Sequence, residues 1–279
     1  MDDLRLIAHH RPSPADTPEA GKHRFRLTLA FDGGAYSGWQ RQANGPSVQQ
    51  TLEEAFLRVA RERVCVVGSS RTDAGVHAQG MVAHLDSATR IPPEKLAFAL
   101  NTALPEDVRV LGSELAPAGF HARFSAAGKI YRYRIWNARH MNPIGRRYRM
   151  HVPVPLDDRR MDEAAQSLLG THDFSAFAAS GSVARSVVRT IYRARVARRG
   201  DEVSLLVLGD GFLYNMVRII AGTLIEIGQG KRAPDAFSRA IASGNRLDLG
   251  QTAEACGLTL EAALYAGEED RVRRIFETF

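Results

Sequence analysis

The chain has 279 residues, enough for one large domain or for two lobes with separate cores. Hydrophobic residues make up 44% and charged residues 24%, ordinary for a globular protein, and no apolar run approaches the ~18 residues needed to cross a bilayer. Lys plus Arg outnumber Asp plus Glu by 37 to 31, a modest excess that suits a polyanionic partner. The two distant cysteines, Cys65 and Cys256, exclude a disulfide framework or thiolate metal cluster and point to a reducing cytosol.

Residues 1–23 hold Pro12, Pro14, Pro18, the His9-His10 pair and scattered charges, with no apolar core of a signal peptide, and read as a disordered tail. Phe25, Leu27, Leu29 and Phe31 alternate as in a half-buried strand. A loop of aromatics and hydrogen-bond donors, Ala35 to Gln42, follows Asp32-Gly33-Gly34. Ser47-Val48-Gln49-Gln50 has the form of a capping box, and Val48, Leu52, Ala55, Phe56 and Val59 continue at helical spacing to about Arg61.

The stretch Val64 to Asp86 reads as strand, loop, strand. Val64, Val66 and Val67 form a β-branched run, and Met81 to Leu85 is mostly apolar. Between them lies G-S-S-R-T-D-A-G-V-H, with glycines near both ends that let the backbone turn sharply or approach a ligand closely. A carboxylate, Asp73, sits two residues from the Arg71 guanidinium; such a loop can hold a carboxylate ionised, or can be a surface turn with an Asp cap.

Pro92-Pro93 opens a helix with Leu96, Ala99, Leu100 and Ala103 on one face, and Asp107 to Leu115 reads as a strand. In Lys129 to Trp136, period two puts Tyr131, Tyr133 and Ile135 on one face and Arg132 and Arg134 on the other. That pattern fits base stacking with phosphate contact, and equally a two-sided structural strand. Arg139 to His151 reads as an exposed basic loop. Asp157 caps a helix whose apolar face is Met161, Ala164, Ala165, Leu168 and Leu169, with Gly170 as the stop, and His172-Asp173 reads as part of a packed turn.

Ser186 to Arg198 is a strand with Arg189, Arg193 and Arg195 on one face and Val188, Tyr192, Ala194 and Val196 on the other; Glu202 to Leu208 pairs with it through a turn. Met216 to Gly228 is a helix apolar almost all round. Arg218 inside it needs an acidic partner or a polar cavity, and Glu226 lies two turns away, so Asp73 is the candidate counter-ion. Asp235 to Ser243 is a further amphipathic helix. Thr252 to Leu260 leads into a strand, followed by Glu261 to Tyr265 and a charged tail.

Several strings, in order, are similar to the TruA-type transfer RNA pseudouridine synthases. They are F-D-G-x-x-Y-x-G-W-Q-R-Q, S-R-T-D-A-G-V-H-A, F-H-A-R-F-S-A with K-x-Y-x-Y, G-x-H-D-F-x-x-F, M-V-R and A-x-x-x-G-L-x-L, spanning about residues 24 to 260. The resemblance implies an α+β fold of two lobes sharing a long, mainly antiparallel sheet flanked by helices, with a catalytic cleft between them. The first lobe, 24–117, would carry the aspartate loop and the second would be 118–279. It further implies a cytoplasmic homodimer that isomerises uridines 38, 39 and 40 in the anticodon arm of tRNA without metal or organic cofactor. Asp73 would be the nucleophile, Arg218 its ion-pair partner and Tyr131 the ring on the base and candidate general base. Arg71, His77 and Leu258 would be further substrate contacts. Ser70, where the family loop usually has glycine, and the residues after Leu260 depart from the pattern. Two other readings of the residues are an RNA-binding module without catalysis, and a metal-dependent hydrolase built on His77, His84 and Asp86; His77 and His84, seven apart, fall on opposite faces of a regular strand, a poor chelate.

Overall fold

The computed structural model describes residues 17–179 and 186–279, so most of the N-terminal tail read from the sequence, residues 1–16, lies outside the described residues. Two compact units emerge, residues 17–127 with 260–268 and residues 128–259 with 269–279. Among the described residues the strands form a ten-stranded sheet flanked by helices, an α+β architecture.

In the first unit, β1 (His23–Phe31) buries alternate residues Phe25, Leu27, Leu29 and Phe31, as its pattern demands. α1 (Val48–Ala60) begins where the Ser47 hydroxyl accepts the Gln50 N–H, and buries Val48, Leu52, Ala55 and Phe56. Only half of the capping box forms, because the Gln50 side-chain amide donates forward to Glu54. Arg61 then closes the helix in the left-handed conformation (φ 56°).

The valine run makes less strand than its composition suggests. Only β2 (Val67–Gly68) pairs, with β3 (His77–Ser87), because the Glu53 carboxylate on α1 takes the Val66 N–H. β3 begins at His77, four residues before the apolar run that marks it in sequence. After α2 (Pro93–Asn101), with Pro93 at its first position, β4 (Val108–Leu115) completes the order β4-β1-β3, antiparallel throughout. The core is closed by residues returning from the far end of the chain. Ala263 and Tyr265 pack with Val82, Phe120, Ala122 and Ala126, and the Tyr265 hydroxyl donates to the Ala122 carbonyl (2.7 Å). Of these, Val82 and Phe120 each contribute roughly 1.5–3 kcal/mol by leaving water.

In the second unit, β5 (Gly128–Trp136) runs parallel to the short β6 (Met150–His151). α3 (Asp158–Ala165) is capped by Asp157, which accepts the Arg160 N–H; it ends before the Gly170 stop read from the sequence, tightening into a 3-10 turn over Gln166–Leu168 that buries Leu168 and leaves Leu169 exposed, and β7 (Gly170–Asp173) follows. β8 (Val188–Arg199) and β9 (Glu202–Gly209) complete the antiparallel order β5-β9-β8-β7. α4 (Met216–Gly228) has the bounds read from the sequence, and all but two of its residues are buried, the exceptions being Arg218 and Glu226. α5 (Ala236–Ser243), β10 (Leu258–Leu264) and α6 (Glu269–Glu277) end the chain.

Three sequence expectations change here. In β8 a bulge at Tyr192 shifts the register between Ile191 and Arg193, so Ile191 is buried before it and Ala194 and Val196 after it. Arg189 therefore does not share a face with Arg193 and Arg195, and Val188 is exposed. Arg149 leaves the exposed basic loop to pair with Glu202 and cover the Trp136 ring. The charged tail contains α6, which buries Val272, sets Phe276 under the Arg193 guanidinium (5.6 Å), and is followed by Phe279 under Arg132 (5.3 Å).

Candidate active site

The aspartate loop is built almost entirely by backbone contacts. It starts at Gly68, packed so closely on the Trp39 ring that an added Cβ would lie 2.5 Å from it. Ser69 is fully buried, and its N–H donates to the Val82 carbonyl (2.7 Å). Ser70 has none of the left-handed backbone that favours glycine, so the serine found here imposes no backbone strain. Arg71 is exposed, Thr72 buried and Asp73 half-buried. The Val76 N–H donates back to the Asp73 carbonyl (3.1 Å), and Gly75 (φ 78°) supplies the left-handed turn. The Thr72 hydroxyl is buried without a hydrogen-bond partner among the described residues.

His77, read as a substrate contact, is buried at the start of β3. Its Nδ1 accepts the Gly33 N–H (3.0 Å) and lies 3.0 Å from Asp32 Oδ1, so the ring ties the 32–34 turn to the end of the aspartate loop. The other groups of the metal-hydrolase reading are engaged too. His84 Nδ1 accepts the Ala122 N–H (3.1 Å), and Asp86 takes a two-pronged ion pair from Arg24, both contacts at 2.7 Å. Among the described residues no three His, Cys, Asp or Glu side chains gather to hold a metal ion.

Tyr131, Arg218 and Leu258 lie in the second unit. Tyr131 is 6% exposed and meets the Phe212 ring edge-on (5.2 Å, 85°). Tyr133, two residues on and on the same face, is fully buried. Its hydroxyl donates to the Glu254 carbonyl (2.8 Å), and burial raises its pKa far above the ordinary tyrosine range. Of this tyrosine pair, Tyr133 is locked as structure.

Arg218 is half-buried and held by two fixed acceptors. Its Nε donates to the Ala253 carbonyl and its Nη1 to Asn215 Oδ1, both at 2.8 Å, while the Ala253 N–H returns a bond to the Arg218 carbonyl (3.1 Å). Asn215 reaches this position because it adopts a left-handed conformation (φ 60°) just before α4, which asparagine tolerates better than most residues. The 250–253 segment crosses α4 at Gly222, where a Cβ would come within 1.8 Å of the Gln251 carbonyl. Glu226 is occupied by Arg232 and the Gln251 N–H. Leu258, 5% exposed, follows Gly257, whose missing side chain lets the Tyr133 ring approach.

Sequence reading missed Asn215, Ala253 and Phe212 as supports of these side chains. Only an asparagine immediately before an apolar helix signalled the first. The His172-Asp173 pair holds a turn: His172 Nε2 contacts the Leu169 carbonyl, and Asp173 accepts the Ser175 N–H, which lowers its carboxyl pKa.

Residues 28–125 and 164–266 match the model of a family described as tRNA pseudouridine synthase. The chain belongs to that family. It is 46% identical to tRNA pseudouridine synthase A 2 of Clostridium tetani over 86% of this chain and 98% of the relative. It is 43% identical to tRNA pseudouridine synthase A of Bacillus licheniformis, over 87% and 99%, and 46% identical to that of Brevibacillus brevis, over 87% and 99%. As a tRNA pseudouridine synthase family member, the chain carries Arg71, Asp73 and His77 in the first matched segment and Arg218 and Leu258 in the second. Tyr131 falls between them and α6 beyond them.

Proposed function

We propose that this chain isomerises uridine to pseudouridine at positions 38, 39 and 40 of the tRNA anticodon stem-loop, with Asp73 as nucleophile. What carries the reading is kinship along nearly the whole length of relatives bearing the tRNA pseudouridine synthase A name, with R-T-D-A-G-V-H inside the matched segment. The reaction is redox-neutral. The N1–C1′ glycosidic bond breaks, the uracil turns, C5 bonds to C1′, and the proton on C5 leaves while N1 gains one.

A carboxylate suits this chemistry because it can bond to C1′ or stabilise positive charge developing there. Arg218 would pair with Asp73 and keep it ionised; the two hydrogen bonds that aim the guanidinium favour a fixed role. The Tyr131 ring would hold the detached uracil, with its hydroxyl as candidate base, and Arg71, exposed on the loop, would meet the RNA backbone. Leu258 and His77 complete the substrate-binding set. Reaching the uridine requires the base to leave its stack, so binding includes flipping.

In this reading the first lobe brings the nucleophile and the second brings Tyr131 and Arg218. The enzyme works as a homodimer in the cytoplasm, a compartment that suits its two free cysteines. Mapping pseudouridine in unmodified tRNA incubated with the pure protein tests the assignment. Modification confined to 38, 39 and 40 is expected; no pseudouridine, or pseudouridine only elsewhere, overturns it. Sedimentation of the same preparation reads the oligomeric state.

A further inference from the structure

The string around Gly33 to Trp39 has no part in the chemistry above, yet it touches the aspartate loop at every stage of its path. At the loop's start the Trp39 ring, 3% exposed, fills the space over Gly68. In its middle the Trp39 N–H donates to the Thr72 carbonyl (3.0 Å). There Gly38 (φ +98°) approaches so closely that a Cβ would lie 2.5 Å from that same carbonyl, 3.2 Å from the Asp73 carbonyl carbon and 3.3 Å from the Ala74 nitrogen. Near the loop's end the Gly75 N–H donates to the Tyr36 carbonyl (3.3 Å), and a Cβ on Gly33 would lie 2.0 Å from the Val76 carbonyl.

The segment is itself anchored from behind. The Val48 N–H donates to the Gly38 carbonyl (3.3 Å) and the Gln49 N–H to the Trp39 carbonyl (3.0 Å), which ties it to the first turn of α1. The Tyr36 hydroxyl donates to Asp107 (2.7 Å). Trp39 thus links helix and loop through its own two backbone groups.

We propose that Gly33 to Trp39 is a positioning clamp for Asp73, with Gly38 and Trp39 as positioning residues that set where the carboxylate stands before RNA arrives. The proposal rests on Asp73 being the nucleophile. Nothing in the clamp needs to touch substrate. Its effect belongs to the chemical step, where a misplacement of about 1 Å costs on the order of 10²-fold in rate.

The experiment compares wild type, Gly38→Ala and Asp73→Asn in single-turnover pseudouridine formation at saturating tRNA, with tRNA Kd and thermal melting on the same preparations. Gly38→Ala is expected to fold, bind tRNA with unchanged Kd and lose on the order of 10²-fold in single-turnover rate. A wild-type rate, or a weakened Kd with an unchanged rate, overturns the clamp. Should Gly38→Ala fail to fold, Val48→Pro decides. It deletes the N–H that holds the Gly38 carbonyl, while Ser47 already has the extended backbone that a following proline requires. Val48→Pro slower than its packing control Val48→Ala supports the clamp, and equal rates overturn it. Asp73→Asn reads the underlying assignment separately. If it stays active, the nucleophile reading fails whatever Gly38→Ala does; if it is dead while the clamp variants run at full rate, only the clamp fails.

Discussion

The surroundings of Asp73 and of Arg218 are built by different means. The aspartate stands on a loop fixed by main-chain hydrogen bonds and by close-packed glycines, Gly33 and Gly38 pressed against carbonyls and Gly68 against the Trp39 ring. The arginine stands on a regular helix, and its guanidinium is aimed by two side-chain hydrogen bonds, to Ala253 and Asn215. Main-chain placement of the first kind admits almost no substitution, because each contact forbids a Cβ. Side-chain placement of the second kind degrades in steps, since the Asn215 acceptor can be lost while the Ala253 carbonyl stays.

The largest effect expected from that difference is at the carboxylate itself. Asp73→Asn keeps the loop's backbone bonds and removes only the charge. Turnover is expected to fall by about 10⁴-fold or more, the scale reached when a nucleophile is removed, with tRNA affinity nearly unchanged because phosphate contacts set it. Single-turnover rates and filter binding check this, and pseudouridine formation near the wild-type rate would remove Asp73 from the mechanism.

In the second unit Tyr131→Phe is expected to cost roughly 10²-fold or more in rate, the range of a lost general base, with little change in melting temperature because the ring still meets Phe212. A full rate would leave Tyr131 a packing residue; a parallel loss of rate and fold would make its hydroxyl a structural bond. Arg218→Lys should be milder. An ammonium cannot reproduce the guanidinium's fixed fork toward both Ala253 and Asn215, and losing one bond from a charged donor is worth about 1.5–3 kcal/mol, or about 10–100-fold in rate. If lysine supports the wild-type rate, the guanidinium's geometry is irrelevant and the contrast between the two regions collapses.

The smallest effect is on pH dependence and sharpens the backbone side of the comparison. Burial, with the bond to Asp107, pushes the Tyr36 hydroxyl from its ordinary 10 up to about 12. The folded protein therefore holds this proton in a range where the unfolded chain releases it. Stability from this group is full below about pH 10 and declines as pH rises toward 12. Wild type should accordingly lose melting temperature more steeply than Tyr36→Phe between those pH values; equal slopes would remove Tyr36 from the anchoring of the clamp.

Elements whose signals are local can be read directly from the amino-acid order. α1 and α4 follow from a cap or an apolar periodicity contained within a dozen residues, and the R-T-D-A-G-V-H loop is marked by its own glycines. The amino-acid order also showed that Arg218 needs a polar partner, since burying a guanidinium is costly wherever it occurs. Features that depend on residues distant in the chain emerge only once the fold brings those residues together. The Val66 N–H leaves the ladder for Glu53, thirteen positions away, and Arg149 turns inward because Glu202 is there to receive it. The extra residue at Tyr192 reverses the faces of β8 against a partner strand that alternation cannot see, and α6 forms from a charged tail because Val272, Phe276 and Phe279 find surfaces to cover. The glycines announced a turn, but not that Gly38 would press on Thr72 and Asp73. Periodicity records which way a side chain points along its own element, whereas close approach depends on what the rest of the fold brings alongside.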